Sequence, residues 1–397
     1  MAAIQAGADS VYFGVENLNM RSRSSINFTL KDLEEISKTC RKNKVKSYVT
    51  VNTIIYDSEI EQMKAIIDAA KKNKINAIIA SDQSAINYAN KVGMEVHIST
   101  QCNVSNIESV EFYSRYADVM VTARELSLKQ IASIIKEIEK RKIKGPSGKL
   151  VKIEIFAHGA LCMAISGKCY LSLHTQGSSA NRGACIQPCR RKYFVTDADE
   201  GVEIKIDNQY IMSPKDLCTI GFIDKIIKAG VKILKIEGRG RSPEYVKTVT
   251  QCYREAVDAY FAGNYEQDKI NRWMGKLGTV YNRGFWDGYY LGKKLGDWTE
   301  CYGSQATKQK IYVGKITNYF SKLKVAEVKI ETSFLNICDE VIITGQTTGV
   351  AELKIQEIRA NLKKVKKTVK GDICSIPVPQ LVRRNDKLYK IIDVEEF

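Results

Sequence analysis

Short apolar runs alternate along the first two thirds of the chain with longer stretches in which apolar residues recur at helical spacing. Seven of the runs predict buried strands: SVYFG from Ser10, KSYVTVN from Lys46, AIIASD from Ala77, EVHISTQ from Glu95, VMVTARE from Val119, KIEIFAHG from Lys152 and ILKIEGR from Ile233. The intervening stretches predict amphipathic helices. From Ser58 to Asn73, Ile60, Met63, Ile66, Ile67 and Ala70 make one apolar stripe, with Ser58 and Glu61 spaced as a capping box. Strand-helix alternation of this kind defines an α/β fold with a parallel sheet. Seven strands are one short of a TIM-like (β/α)8 barrel.

The pattern changes twice further on. A helix from Ser242 to Gly263 has serine as its cap, Pro243 in its first turn and glycine at its stop. Residues 266–307 are rich in glycine and aromatic side chains and read as a linker packed on the first domain, which spans 1–265. From 308 to 397, KIYVGKI, KVAEVKI, DEVIITG and DICSIPV read as the short strands of a small β-barrel.

In a barrel of this class the chemistry sits at the carboxyl ends of the strands. Polar residues recur there: Asn52, Asp82, Ser99, Gln101, Arg124, Glu125, His158, Glu237 and Arg239. For any one of them a strand cap or a supporting ion pair is the plainer explanation. Their recurrence makes His158, Arg124, Glu125, Glu237 and Arg239 the candidate catalytic group. His158 ends its strand just ahead of Gly159, placed to donate to a substrate oxygen or a metal-bound sulfur. His97 falls within a strand pattern and reads as an interior residue, whereas His174 lies in the loops that follow.

Those loops hold the densest chemistry. Five of the eleven cysteines, Cys162, Cys169, Cys185, Cys189 and Cys218, fall in an insertion at about 159–225. The amino terminus has no basic segment or apolar signal region, which points to a cytoplasmic address and to metal ligation over disulfides. Zinc sites usually show two tight cysteine pairs, and only Cys185 and Cys189 approach one. The irregular spacing better suits an iron–sulfur cluster, which needs four thiolates. Packing as small apolar side chains is the alternative, disfavoured by the surrounding glycines and by Lys168, Arg182, Arg190 and Arg191.

The runs HGALCMAISGKCYLS, NRGACIQPCRRKY, SPKDLC and KIEGR resemble the signature of the U32 family, named for collagenase-like peptidases. Within it the chain most resembles a branch implicated in prephenate-dependent hydroxylation of the wobble uridine of tRNA. The likeness runs over nearly the whole chain. It implies a 4Fe-4S cluster held by Cys162, Cys169, Cys185 and Cys218, with Cys189 able to replace one of them. It also implies prephenate as co-substrate, tRNA as substrate, and a second U32 protein as a further candidate partner. Family members carry a strand and a glycine-bearing turn ahead of the first helix, so the barrel is expected to lack its first strand here. Two other classes remain open, a U32 peptidase and a noncatalytic scaffold. The chain has no H-E-x-x-H or G-x-S-x-G motif, and a cysteine that holds iron cannot also attack a peptide bond.

Composition adds one point. With 61 basic and 45 acidic residues the chain carries a formal charge of +16, a field that attracts polyanions. A lysine-rich solvated surface explains much of this excess. The run NLKKVKKTVK places Lys363, Lys364, Lys366, Lys367 and Lys370 in near-alternation with apolar residues, and the first four are candidate RNA contacts. No apolar run is long enough to span a bilayer.

Overall fold

The computed structural model describes residues 1–23, 27–196, 199–201, 203–204 and 210–394. All seven apolar runs form strands of one sheet: β1 Ser10–Gly14, β2 Lys46–Val51, β3 Ala77–Ala80, β4 Glu95–Ile98, β5 Val119–Val121, β6 Lys152–Gly159 and, after two turns of chain, β8 Ile233–Ile236. They pair in parallel in the order β1-β2-β3-β4-β5-β6-β8. A short strand β7, Asp216–Cys218, runs antiparallel to the end of β6, and β9, Phe285–Trp286, extends the sheet beyond it. Helices cover the sheet through one continuous apolar core that includes Val49, Ile67, Ile78, Ile98, Ile131 and Ile155.

Two expectations need correction. Residues 266–307 are more than a linker: Gln267–Gly278 is a helix that buries Trp273 and Leu277, and β9 follows it. The capping box expected from Ser58 and Glu61 is not formed. The helix runs from Ile60 to Lys72 behind a single turn, Asp57–Glu59, and the Glu59 carboxylate accepts from the Tyr56 amide at 2.9 Å. Glu59 is held there by Arg182 from the cysteine-rich segment. Glu61 pairs instead with Lys64 on the surface at 2.7 Å.

The edges of β1 and β8 face each other without pairing among the described residues, and a cavity of about 1390 Å³ lies along them. Tyr12 crosses the gap, its hydroxyl donating to the Ile236 carbonyl at 3.1 Å. Behind it, Lys235 of β8 and Glu154 of β6 form a buried ion pair at 3.2 Å, and the ammonium lies 4.6 Å from the centre of the Tyr12 ring.

β6 and β8 slip register between Lys235 and Ile236, so that Ala157 has no partner across the ladder. Its freed carbonyl accepts from the Thr219 amide at 3.1 Å and the Tyr253 hydroxyl at 2.8 Å. A bulge of this kind reverses the faces of the residues that follow it. Glu154 and Phe156 therefore point toward Lys235, while His158, two residues on, points the other way onto Tyr253, Tyr245 and Phe285.

From Lys308 an eight-stranded antiparallel sheet takes over, with its own core of Val313, Ile316, Val328, Ile343, Ile376 and Leu388. Its strands are β10 Lys308–Phe320, β11 Val325–Ile330, β12 Glu340–Gly345, β13 Gly349–Lys354, β14 Ile358–Ala360, β15 Lys363–Val365, β16 Ile373–Pro377 and β17 Lys387–Asp393. It docks on the first sheet's layer through Ala2, Ile342 and Val350. Gln5 seals that contact, donating to the Thr348 carbonyl at 2.8 Å and accepting from the Val350 amide at 3.0 Å.

Removing one partner of a buried ion pair leaves the other charged and dry. Lys235→Met should cost about 3–5 kcal/mol in chemical denaturation, and the double variant with Glu154→Leu should recover most of that loss. A single variant as stable as the parent would show that Glu154 and Lys235 do not depend on each other.

Candidate active site at the strand ends

The ends of β1, β5 and β8 bring three cations around one carboxylate. Glu237 accepts from the Tyr12 hydroxyl at 3.2 Å and lies 3.7 Å from the Arg21 guanidinium. Burial alone would raise its pKa, but Arg21, Arg239 and Arg124 together hold it below the usual carboxylate range. Arg239 reaches across to Asn19 and donates to the Thr50 hydroxyl at 3.3 Å. Gly14 makes this possible, because a Cβ there would collide with the Arg239 guanidinium and Asn19.

Arg124 stacks on the Phe156 ring, 3.8 Å from its centre, and donates one N–H to the Ala160 carbonyl at 3.1 Å. Its Nε is buried without a hydrogen-bond partner among the described residues. Burial pulls the pKa of Arg124 down, and nearby Arg21 adds to that. Three arginines against one carboxylate leave the mouth with spare positive charge.

The segment from Ala160 to Arg191 folds over this mouth. Arg182 clamps it to the first domain through Glu59 and, at 2.5 Å, the Ile54 carbonyl. Arg190 donates to the Leu161 carbonyl at 2.6 Å, the Ser213 hydroxyl at 3.1 Å and the Pro214 carbonyl. Gly183, at φ +73°, lies directly against the Asn19 carbonyl and the Ser22 hydroxyl, where a side chain has no room.

Four thiols gather in this segment. Cys189 is raised by burial against the pull of Arg190, and Cys162, Cys185 and Cys169 are near enough to add to the rise. Ser172 donates to the Cys185 sulfur at 3.7 Å. Arg21, Arg124 and Arg190 all lie near Cys162. Among the described residues no three His, Cys, Asp or Glu side chains stand at mutual metal-ligand distance. The donor chemistry nevertheless fits a thiolate-bound metal group, since four thiols share one loop cluster with three guanidinium groups around them.

Cys218 does not join them. β7 places it in the core, where its thiol lies 3.8 Å from the Met274 sulfur and 3.9 Å from the Tyr253 hydroxyl, and burial pushes its pKa up to about 11. The rest of its motif supports the fold: Ser213 and Pro214 receive Arg190, and the buried Asp216 pairs with Arg241 at 3.2 Å and Arg283 at 3.4 Å.

Other expected residues separate along the same lines. Glu125 is exposed, and Asp82 caps the following helix through the Ser84 amide at 2.9 Å. Asn52, Ser99 and Gln101 form one polar group at the mouth, Asn52 donating to the Ser99 hydroxyl at 3.3 Å and accepting from the Met20 amide at 3.2 Å. His97 is interior, against the Tyr48 ring and 3.1 Å from Glu95. The basic run lies on the other sheet, where Lys364 pairs with Glu357 at 2.6 Å and Lys367 sits 4.1 Å over the Phe334 ring. Lys363 and Lys366 are exposed. Sequence reasoning missed Arg21 and Arg190, because each becomes part of the site only when a loop folds back over strands far away in the chain.

The chain as a whole is similar in sequence to known proteins. The model of peptidase family U32 matches residues 1–300, and the chain belongs to that family. It is 60% identical over 396 residues to a protein of Porphyromonas gingivalis named collagenase, covering 100% of this chain and 96% of that one. It is 32% identical over 351 residues to tRNA hydroxylation protein P1 of Bacillus subtilis, covering 86% and 80% of the two chains. A 23S rRNA 5-hydroxycytidine synthase of Escherichia coli is 36% identical over 302 residues, 74% of this chain and 44% of that one. Among the described residues no helix is long and apolar enough to cross a membrane.

His158 corrects the expectation made for it. It is buried, its Nδ1 lies 3.3 Å from the Tyr253 hydroxyl, and burial, with Arg241 nearby, lowers its pKa to about 3. It does not face the mouth, because the bulge at Ala157 has turned it away. The folded chain thus keeps His158 neutral while the unfolded chain takes up a proton near the ordinary value of about 6.5. Stability from this group is complete above that pH and declines as pH falls toward 3. Between pH 6 and 5 the slope should approach about 1.4 kcal/mol per pH unit, and His158→Gln should flatten it in denaturation curves.

Proposed function

We propose that this chain is an iron–sulfur enzyme of RNA modification that hydroxylates a pyrimidine base, in tRNA the wobble uridine to 5-hydroxyuridine, with prephenate as co-substrate. The observation that carries this reading is the set of four thiols held over an arginine-lined strand mouth. Relatives named for tRNA hydroxylation and for 5-hydroxycytidine synthesis in rRNA support RNA as the substrate. The frame in this reading is a (β/α)8-type barrel whose first and last visible strands flank the seam, and an RNA substrate places the protein in the cytoplasm.

Cys162, Cys169, Cys185 and Cys189 would hold a 4Fe-4S cluster. Bound there, it would supply one-electron transfer or a Lewis-acidic iron. Arg124 and Arg239 would take the two carboxylates of prephenate, with the unpartnered Nε of Arg124 offering a ready N–H. Glu237, kept ionised, orients Arg21 and is available as a proton acceptor. The thiols and the mouth lie together because Arg182 and Arg190 fasten the segment there.

The peptidase reading draws on the name of the 60% identical relative. A cysteine peptidase needs an accessible base beside its nucleophile. His158 is buried against Tyr253, and burial leaves it a weak base, and this favours the hydroxylation reading.

Protein purified without oxygen should be brown and carry roughly four irons and four sulfides per chain. Cys162→Ala, Cys169→Ala, Cys185→Ala and Cys189→Ala should lose that iron, while Cys218→Ala should keep it and lose only stability. Iron retained in Cys189→Ala and lost in Cys218→Ala would return the fourth ligand to Cys218. A colourless protein holding one zinc would end the cluster assignment.

The function itself is read from nucleosides. Mass spectrometry of tRNA from cells lacking the gene should show the 5-hydroxyuridine derivatives of the wobble position reduced or gone, with recovery on re-expression. Unchanged levels of hydroxylated pyrimidines in both tRNA and rRNA would favour the peptidase reading.

A further inference from the structure

From Ile155 to Thr196 the chain contains no aspartate or glutamate, although acidic residues number 45 among the 397 of the whole protein. The same stretch carries Lys168, Arg182, Arg190, Arg191 and Lys192. Arg182 and Arg190 turn inward as clamps. Lys168, Arg191 and Lys192 are exposed. Two large aromatic side chains stand among them with most of their surface in solvent, Tyr170 at 73% and Phe194 at 63%.

These residues belong to one folded unit. The helix Leu171–Gln176 starts directly after Tyr170 and packs against the turn Pro188–Arg190. With the Gln176 amide oxygen turned toward it, Arg191 donates to that oxygen at 3.0 Å and 3.3 Å. The four thiols lie within the same unit.

Aromatic faces exposed beside cations are the chemistry that grips single-stranded nucleic acid: bases stack on the rings and phosphates pair with the cations. We infer that the outer surface of the cysteine-rich segment, centred on Tyr170, Phe194, Arg191 and Lys192, is where a single-stranded RNA loop docks, next to the thiols. The inference rests on the RNA reading above and moves the main RNA contact from the second sheet to the site itself. Lys364 and Lys367 of the basic run are already engaged with Glu357 and Phe334.

The test uses the full chain, a fluorescein-labelled RNA stem–loop and anisotropy titrations across a salt series. The substituted side chains are exposed, and thermal unfolding verifies that each variant folds like the parent. Tyr170→Ala with Phe194→Ala should weaken binding at least about five-fold, the loss of base stacking, with the salt slope unchanged. Arg191→Gln with Lys192→Gln should flatten the log–log slope by roughly 0.7 for each phosphate contact removed. If the parent binds the RNA and both double variants bind it equally well with the same slope, the docking surface is wrong while the RNA reading stands. A parent that binds no RNA at low salt overturns both. If the aromatic variant instead loses binding to denatured collagen while its RNA binding is unchanged, the surface serves a peptide and the RNA assignment falls.

Discussion

Everything proposed for the active site depends on how one loop segment is fastened over the end of the parallel sheet. Ala160–Arg191 has little apolar core of its own: Leu161, Ala180, Ala184 and Pro188 are its buried apolar side chains. Its position comes from two guanidinium groups that use several hydrogen-bond donors each. Arg182 spends its fork on a carboxylate and a carbonyl, and Arg190 on two carbonyls and a hydroxyl. Arginine suits this task because its rigid planar fork loses less freedom per hydrogen bond than lysine would. Gly183 completes the fit by letting the segment's backbone touch that of the first domain.

The electrostatics of the mouth follow from that docking. Arg21, Arg124 and Arg239 stand around Glu237 in a partly buried space where positive charge is costly, and the pKa values of Arg124 and Arg239 are lowered as a result. Docking the segment brings Cys162 and Cys185 close to Arg21, and Cys162 close to Arg124.

Much of this was legible in the sequence, and the reasons for the rest are specific. Strands were visible because each is a short run dominated by apolar residues, and the Ile60–Ala70 stripe because it repeats at helical spacing. In the second sheet, Gly349–Lys354 and Lys387–Asp393 were not anticipated, since charged residues interrupt their short apolar stretches and only pairing with neighbours makes them strands. The pairing of Lys235 with Glu154 joins two motifs 81 residues apart, which explains why a lysine occupies an otherwise apolar strand. No local pattern reveals it. Sequence shows that a cysteine is near others in the chain and not which way its strand faces, so it does not reveal that Cys218 lies buried beside Met274 and Tyr253.

The bulge at Ala157 has a consequence for how this sequence can change. Point substitutions in β6 alter one side chain and leave the others on their own sides. Gain or loss of a single residue between Phe156 and His158 would exchange inside for outside at the strand's end, turning an imidazole toward the thiols and stranding the carbonyl that Thr219 and Tyr253 now hold. The length of β6 is therefore under tighter restraint than its composition. A histidine that contributes nothing directly at the mouth today is one backbone step from entering it, and that step is a change of reading length that substitutions cannot reach gradually.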